Sequence, residues 1–438
     1  MDFIAGVVPT ECEVLVIGAG VAGATSAHAL AAAGVKDICV IDSGRAGVGF
    51  ATKPSGAATD APVYPNNLYS GTAVMSDPTS TIKMMVTLYP SSSAEFISHH
   101  GVDGAKRYIN LATKGISIQK ELAREVLPHP EEQLTELGSL YVTDATKADE
   151  LRAEFDTLVS LGCEGVELWD KGKLASVEGG NAVGFDLGIF FPNDAVINSS
   201  EYCRSLLRRS VGCGAVRVFE ETSRAVTVDT VGDHAVCTLE DGTRIRCKYA
   251  VVATGGFFLG SPDLAGILRP CFSYLVSVPE PGLTASEMAS RHSPNFLTYG
   301  LSHDWCLTKG HYRCSGEDHF SALKDPQWEQ RCKNLAHWTT EKYPYLLNGQ
   351  DKEALKYDSK YGVYSETPDC APLIGRTSES SRVCYMMGCN AMGQACLTYS
   401  GHLVPGILGY SELTAEQKDN LSLLSIRRFS LLPSVSLL

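Results

Sequence analysis

The chain lacks the features that would take it out of the ordinary globular classes. None of its 15 cysteines forms a Cys-x-x-Cys pair, and no Cys/His spacing matches a zinc site. Most of them, Cys39, Cys237, Cys247 and Cys384 among them, sit inside apolar segments and read as reduced core thiols in an intracellular compartment. Basic charge is short: 37 Lys and Arg against 50 Asp and Glu leave a net charge of −13. Such a surface gains nothing from counterion release on a phosphate backbone and is repelled by anionic lipid, so nucleic acid and membrane surfaces are not expected as partners. There is no G-x-S-x-G, no P-loop and no H-E-x-x-H, which removes the usual footholds for hydrolase, kinase and metalloprotease chemistry.

Long apolar runs are scarce as well. Val14–Val35 comes nearest to a membrane span, but Gly18, Gly20, Gly23 and Gly34 interrupt it and its first third is strand-like, so no span is expected. Met1–Pro9 has neither the basic start nor the apolar core of a signal peptide, which leads to a cytoplasmic expectation. Ser436-Leu437-Leu438 resembles the S-K-L peroxisomal address only loosely, because the basic middle residue is missing.

What is present is a soluble composition, with 44% hydrophobic and 20% charged residues. The length of 438 residues exceeds the roughly 250–300 at which a single core stops growing, so two domains are expected. Glu13–Ile17 is a buried parallel strand, Val21–Ala33 an Ala-rich helix and Asp37–Ile41 the next strand, a βαβ unit. Ser43–Asn67 is a long Gly/Pro/Ala/Ser loop of the kind that usually carries function. Helical stripes follow at Tyr108, Leu111, Ile118 and Leu122, and at Leu151, Phe155 and Leu158, with a strand at Ser139–Thr143 between them. A helix is expected over Asn198–Val211, then strands at Val216–Glu220, Ala225–Val228, Ala235–Leu239, Arg244–Cys247 and Tyr249–Ala253. Cys306–Lys309 and Tyr312–Cys314 suggest a hairpin, Asp325–Lys360 reads as irregular, and Val383–Met387 is a last buried strand before a second glycine turn and helix.

The chemistry starts at Gly18-Ala19-Gly20-Val21-Ala22-Gly23, a G-x-G-x-x-G between strand and helix. Asp42 ends the next strand at about the 20-residue distance the dinucleotide fingerprint requires. Gly18 permits the tight turn, Gly20 lets backbone approach a pyrophosphate, and Gly23 allows close helix–sheet packing. The helix start aims unpaired N–H groups at the phosphates, and Asp42 can accept from ribose hydroxyls. The pattern serves NAD and FAD alike. Near the other end, Gly388 and Gly393 deliver a second helix start, whose amides around Met392–Ala395 can face a developing negative charge.

Three further segments separate the two cofactors. Ser55-Gly56-Ala57-Ala58, Tyr249–Gly256 (YAVVATGG), and Thr367–Gly375 (TPDCAPLIG) with Tyr385–Ala395 (YMMGCNAMGQA) together resemble the D-amino acid oxidase family, glycine oxidase and monomeric sarcosine oxidase in particular. The similarity runs from about residue 13 to the tail Leu423–Phe429 and is thin over 90–165 and 320–360. The resemblance implies FAD, held by Gly18, Gly20, Val21, Ala22, Asp42, Ser43, Ser55, Gly56, Ala57, Ala58, Arg224, Thr254, Gly255, Gly388, Asn390, Ala391, Met392, Gly393 and Gln394. The family's tethering Cys aligns with Gly362, so the attachment is expected to be non-covalent.

Resemblance also implies an α/β fold: a discontinuous Rossmann-like FAD-binding domain (1–90, 165–262 and 360–438) and a mixed-sheet α+β substrate domain (91–164 and 263–359). The expected reaction is hydride transfer from an amine or amino acid to flavin, giving an imine, with O2 reduced to H2O2, in a monomer or small homo-oligomer. The alternatives are a flavin dehydrogenase of a 2-hydroxy acid or alcohol, and a flavin-binding scaffold without turnover.

The substrate side departs from the family. Where relatives carry cations for a carboxylate, this chain has Tyr364, Ala395 beside Gln394, and the neighbourhood of Ala61 and Tyr64. Arg313, Arg269 and Lys53 are the replacement candidates, and Tyr364, Gln394 and Arg313 form the expected catalytic set. An unpaired anion in a desolvated pocket costs several kcal/mol, so without such a cation the substrate is not a simple amino acid. His311 and His319 flank Arg313 and read as structural, with general-base use as the alternative. His99-His100 reads as two surface histidines, since neighbours on a helix diverge.

Overall fold

The computed structural model describes residues 3–5, 7–46, 84–87, 90–177, 184–256, 264, 266–300, 303–321 and 325–431. The expected loop residues Ser55, Gly56, Ala57 and Ala58, with Lys53, Ala61 and Tyr64, lie outside these.

The opening βαβ unit forms as read: strand Glu11–Ile17, helix Val21–Ala32 and strand Ile38–Ile41. Ile38–Ile41 and the second half of Glu11–Ile17 are apolar and buried without alternation because the sheet is covered there on both faces. They sit in a nine-stranded sheet, where Glu11–Ile17 lies between Ile38–Ile41 and the long strand Arg244–Val252. Two strands were expected over that last span; there is one. Its first half alternates exposed and buried residues while pairing with His234–Leu239. Its second half, Tyr249–Val252, is buried throughout and pairs in parallel with Glu11–Ile17 and Val383–Met387.

The helices Val21–Ala32 and Gly393–Ile407 both follow strands parallel to Arg244–Val252, so both begin at the same edge of the sheet. They pack directly: a Cβ added at Gly401 would sit 3.2 Å from the Ala22 carbonyl oxygen. The expected stripe at 108–122 belongs to a longer helix, Ser93–Val126, with a non-helical break at Gly101. It runs so close to Gly393–Ile407 that a Cβ on Gly115 would lie 2.0 Å from the Ala395 carbonyl oxygen.

A second sheet of eight strands contains the expected hairpin, observed as Asp304–Thr308 and His311–Phe320, with Arg269–Pro279 and Asp358–Glu366 beyond it. Three strands fall on the other side of the expected division. Glu167–Asp170, Leu187–Phe191 and Asp358–Glu366 belong to this sheet rather than to the nine-stranded one, because the chain crosses between layers more often than its glycine and proline content signals. The 325–360 region, expected to be irregular, holds helix Trp328–Lys342. That helix covers one face of the sheet through Cys332, Leu335 and Ala336, against Phe272, Tyr274, Val276 and Trp305.

No helix among the described residues is long and apolar enough to cross a membrane. The cysteines are thiols, and most are buried.

Candidate functional site

Gly18 has φ +101°, and a Cβ there would lie 2.4 Å from the Ala253 carbonyl oxygen; at Gly23 it would lie 1.8 Å from the Gly18 carbonyl oxygen. The turn therefore closes only with glycine at both positions. A Cβ on Gly20 or Gly255 meets nothing within 4 Å, so the backbone there faces open space. Helix Val21–Ala32 starts at Gly20 with no side-chain cap, which leaves first-turn amides for a ligand.

The Asp42 carboxylate accepts from the Ala19 and Gly44 amides, both at 2.8 Å, and so locks the glycine turn to the end of the next strand. Burial pushes its carboxyl up, while these two amides oppose the shift. Its remaining lone pairs suit ribose hydroxyls. Glu220 fixes the same corner, accepting from the Ala46 amide at 2.7 Å and from Arg204 at 2.9 Å. Nothing in the sequence marked Glu220.

The second helix start is built more tightly. Gly388 (φ +66°), Asn390 (φ +50°) and Ala391 (φ +66°) all occupy left-handed conformations, which costs about 1–2 kcal/mol at each residue other than glycine. The Asn390 side chain holds the turn, donating to the Gly388 carbonyl oxygen at 2.6 Å and accepting from the Thr367 amide at 2.8 Å. Met392 caps helix Gly393–Ile407 without a side-chain bond, so this helix start is open too. Gln394 accepts from Gln119 at 2.8 Å, a partner on the long helix that the sequence did not indicate. The Ser365 hydroxyl donates to the Gly255 carbonyl oxygen at 3.2 Å and accepts from the Gly388 amide at 3.1 Å, which ties the eight-stranded sheet to the end of strand Arg244–Val252 and to the second helix start.

Two uncapped helix starts on one sheet edge, with open backbone between them and a ribose acceptor at Asp42, fit an extended cofactor with one pyrophosphate and one further anionic region. Residues 13–404 match the family model for DAO, FAD dependent oxidoreductase. The chain belongs to that family. This FAD-dependent oxidoreductase shares its fold with glycine oxidase from Geobacillus kaustophilus at TM-score 0.69 and 16% identity, covering 96% of this chain and 99% of that one. It is similar to L-proline dehydrogenase from P. horikoshii at TM-score 0.65 and 14% identity, covering 97% and 99%. It is also similar to an Amadoriase I mutant from Aspergillus fumigatus at TM-score 0.67 and 16% identity, covering 97% and 91%. No curated protein matches it by sequence.

The expected catalytic set does not come together. Tyr364 is buried on strand Asp358–Glu366 and donates to Asp318 Oδ2 at 2.9 Å. Burial, then the Asp318 charge, pushes its phenol up. Arg313 is buried on the same sheet face, but its register partner Ser277 lies six residues from Cys271, the partner of Tyr364. At about 3.3 Å per residue that is roughly 20 Å, too far for one small ligand to bridge. Arg269 is a surface pair with Glu366 at 2.9 Å, set over the Phe320 ring. Arg224 is held in a bidentate pair by Glu240, at 3.1 and 2.6 Å, while its buried Nη1 makes no hydrogen bond among the described residues.

His319 lies on the helix-covered face, stacked on Phe272 and Tyr274, and His311 bonds the Lys309 carbonyl at 2.9 Å. Of the two supposed surface histidines only His99 is exposed. The His100 side chain is buried, with Nε2 2.7 Å from the Asp369 carbonyl oxygen. Asp369 is held in turn by Arg428 in a bidentate pair at 2.6 and 2.9 Å. Burial pushes the Asp369 carboxyl up, but the guanidinium outweighs it and holds it below the ordinary range.

Proposed function

We propose that this enzyme oxidises a C–N bond in a small amine or amino acid and passes the electrons to O2. The observation that carries the reading is the tie through Ser365, which joins the Tyr364-bearing strand to Gly255, at the end of the central strand, and to Gly388, at the second helix start. Bound FAD supplies the electron sink: the substrate carbon loses a hydride, C–N becomes C=N, and the electron pair leaves on O2 as H2O2. The open amides at Gly20–Ala22 take the pyrophosphate, and those of Gly393–Ala395 stand ready for the negative charge of the reduced ring. Tyr364 and Asp318 orient the substrate. The amine reacts in its neutral form, so no side-chain base is required, and His311 and His319 are not placed to act as one.

The nine-stranded layer takes the cofactor role in this reading, and the eight-stranded sheet the substrate role. Glycine oxidase, one of the similar structures, supports the C–N assignment by its named activity. The test is anaerobic mixing of the purified, FAD-loaded protein with candidate amines and 2-hydroxy acids, followed by peroxide measurement in air. Bleaching of the flavin band by amines, with peroxide formed on admitting O2, is the expected result. Bleaching by hydroxy acids alone would overturn it. Acid denaturation should release the flavin from the protein; flavin that stays attached would overturn non-covalent binding.

A further inference from the structure

Across strands Arg269–Pro279 and His311–Phe320 the register slips between Phe272 and Tyr274, so that Glu317 and Asp318 together oppose Ser273. Glu317, at φ +55°, is the bulged residue. A bulge re-aims side chains, and this one sends two neighbouring acids to opposite faces. Glu317 goes to the helix-covered side, where its carbonyl accepts from Arg331 at 2.7 Å. Asp318 goes to the opposite side, where it meets the buried Tyr364.

There Asp318 Oδ2 accepts from Tyr364, while Oδ1 is shut off from solvent and makes no hydrogen bond of its own among the described residues. Burial pushes the Asp318 carboxyl up, and the Ser273 and Tyr364 hydroxyls oppose that shift, as a cationic partner would. Among the described residues, the charges around Asp318 are either committed or negative. Arg331 is bound to Asp325 at 2.6 Å and Arg269 to Glu366 at 2.9 Å. Glu366 adds negative charge, and burial first, then repulsion with Asp318, pushes the Asp304 carboxyl up to about 7. Because the Tyr364 proton is spent on Asp318, its oxygen offers only lone pairs.

Apart from the Ser273 hydroxyl, which serves Asp318 itself, what this corner presents among the described residues is acceptors, and no cation there is left unpaired to offset the Asp318 carboxylate. An incoming carboxylate would meet a like charge with no donor to hold it, whereas a cationic N–H group would satisfy both oxygens. We infer that Asp318, set by the bulge and backed by Tyr364, is a specificity-determining residue that selects a positively charged nitrogen group on the substrate, and that substrates are amines bearing such a group rather than carboxylates held at this point. The inference rests on the reading that this sheet face looks onto the flavin.

Three ligands of one shape separate the cases: acetamidinium, acetamide and acetate share a planar frame, differ in charge, and carry no oxidisable C–N bond. Added to the FAD-loaded protein at neutral pH, acetamidinium should saturably perturb the visible flavin spectrum and raise the Tm. Acetate should do neither at tenfold higher concentration. Asp318→Asn should weaken acetamidinium at least tenfold with FAD still bound, and Asp318→Glu should recover part of the loss. Acetate binding as tightly as acetamidinium would overturn the inference, as would an unchanged affinity in Asp318→Asn. If the variant fails to fold, the wild-type ligand comparison decides alone. None of these readouts needs turnover, so failure of the C–N reading would show separately, as amine selectivity without amine bleaching.

Discussion

Gly20→Val separates cofactor binding from folding. Gly20 has φ −74° and ψ −169°, extended backbone that valine adopts readily, and an added Cβ meets no atom of the described residues within 4 Å. Replacing a glycine N-cap costs a few tenths to about 1 kcal/mol, so the apoprotein should melt within about 2 °C of wild type. The same side chain fills the space through which the pyrophosphate reaches the amides. Moving that group away forfeits at least two charge-assisted hydrogen bonds at about 1.5–3 kcal/mol each, or roughly 100- to 10,000-fold in FAD affinity. The assay pairs flavin absorbance of the purified protein with melts run with and without added FAD. Gly18→Ala provides the contrast, because its Cβ strikes the Ala253 carbonyl and should lower the apoprotein Tm itself. A folded Gly20→Val protein that retains flavin like wild type would refute the placement of the pyrophosphate.

Tyr364→Phe should lower turnover more than flavin retention, since it removes an oxygen next to Asp318 but touches neither helix start; unchanged kcat/KM would take Tyr364 out of the site. Gly115→Ala should destabilise by about 1–3 kcal/mol in denaturant melts, because the helix pair has no room for a methyl at the Ala395 carbonyl. Arg428→Ala should cost about 3 kcal/mol by leaving Asp369 partly buried and unpaired. The Asp369 carboxyl titrates below its ordinary value, so its contribution is full above about pH 3.9 and fades as pH falls through the lowered native value. Denaturant stability across an acid pH series should show that limb in wild type and lose it in Arg428→Ala.

The cofactor half of the molecule was legible because its constraints are local. A turn that admits only glycine, two apolar strands and an Ala-rich helix announce themselves within thirty residues. Strand Arg244–Val252 was split in reading because one strand carries two patterns, alternating where one face is wet and continuous where both are buried. Helix Trp328–Lys342 was missed because its apolar stripe is thin, padded by Thr339 and Thr340 and preceded by the turn-like Asp325-Pro326. The substrate side resisted for another reason. Asp318 meets Tyr364 across 46 residues and only through a bulge, which no periodicity reveals. Arg313 and Tyr364 do share a face, yet distance along the strands parts them, and distance is what composition and motif leave out.

The two helix starts proposed to frame the cofactor lie at Gly20 and Gly393, separated by most of the chain, on helices that pack against each other. During synthesis, the first phosphate-binding loop must wait for nearly all the remaining sequence before its counterpart exists. On the proposed placement, cofactor capture waits for both loops, and a chain stopped before Val383 should leave the ribosome without retaining flavin.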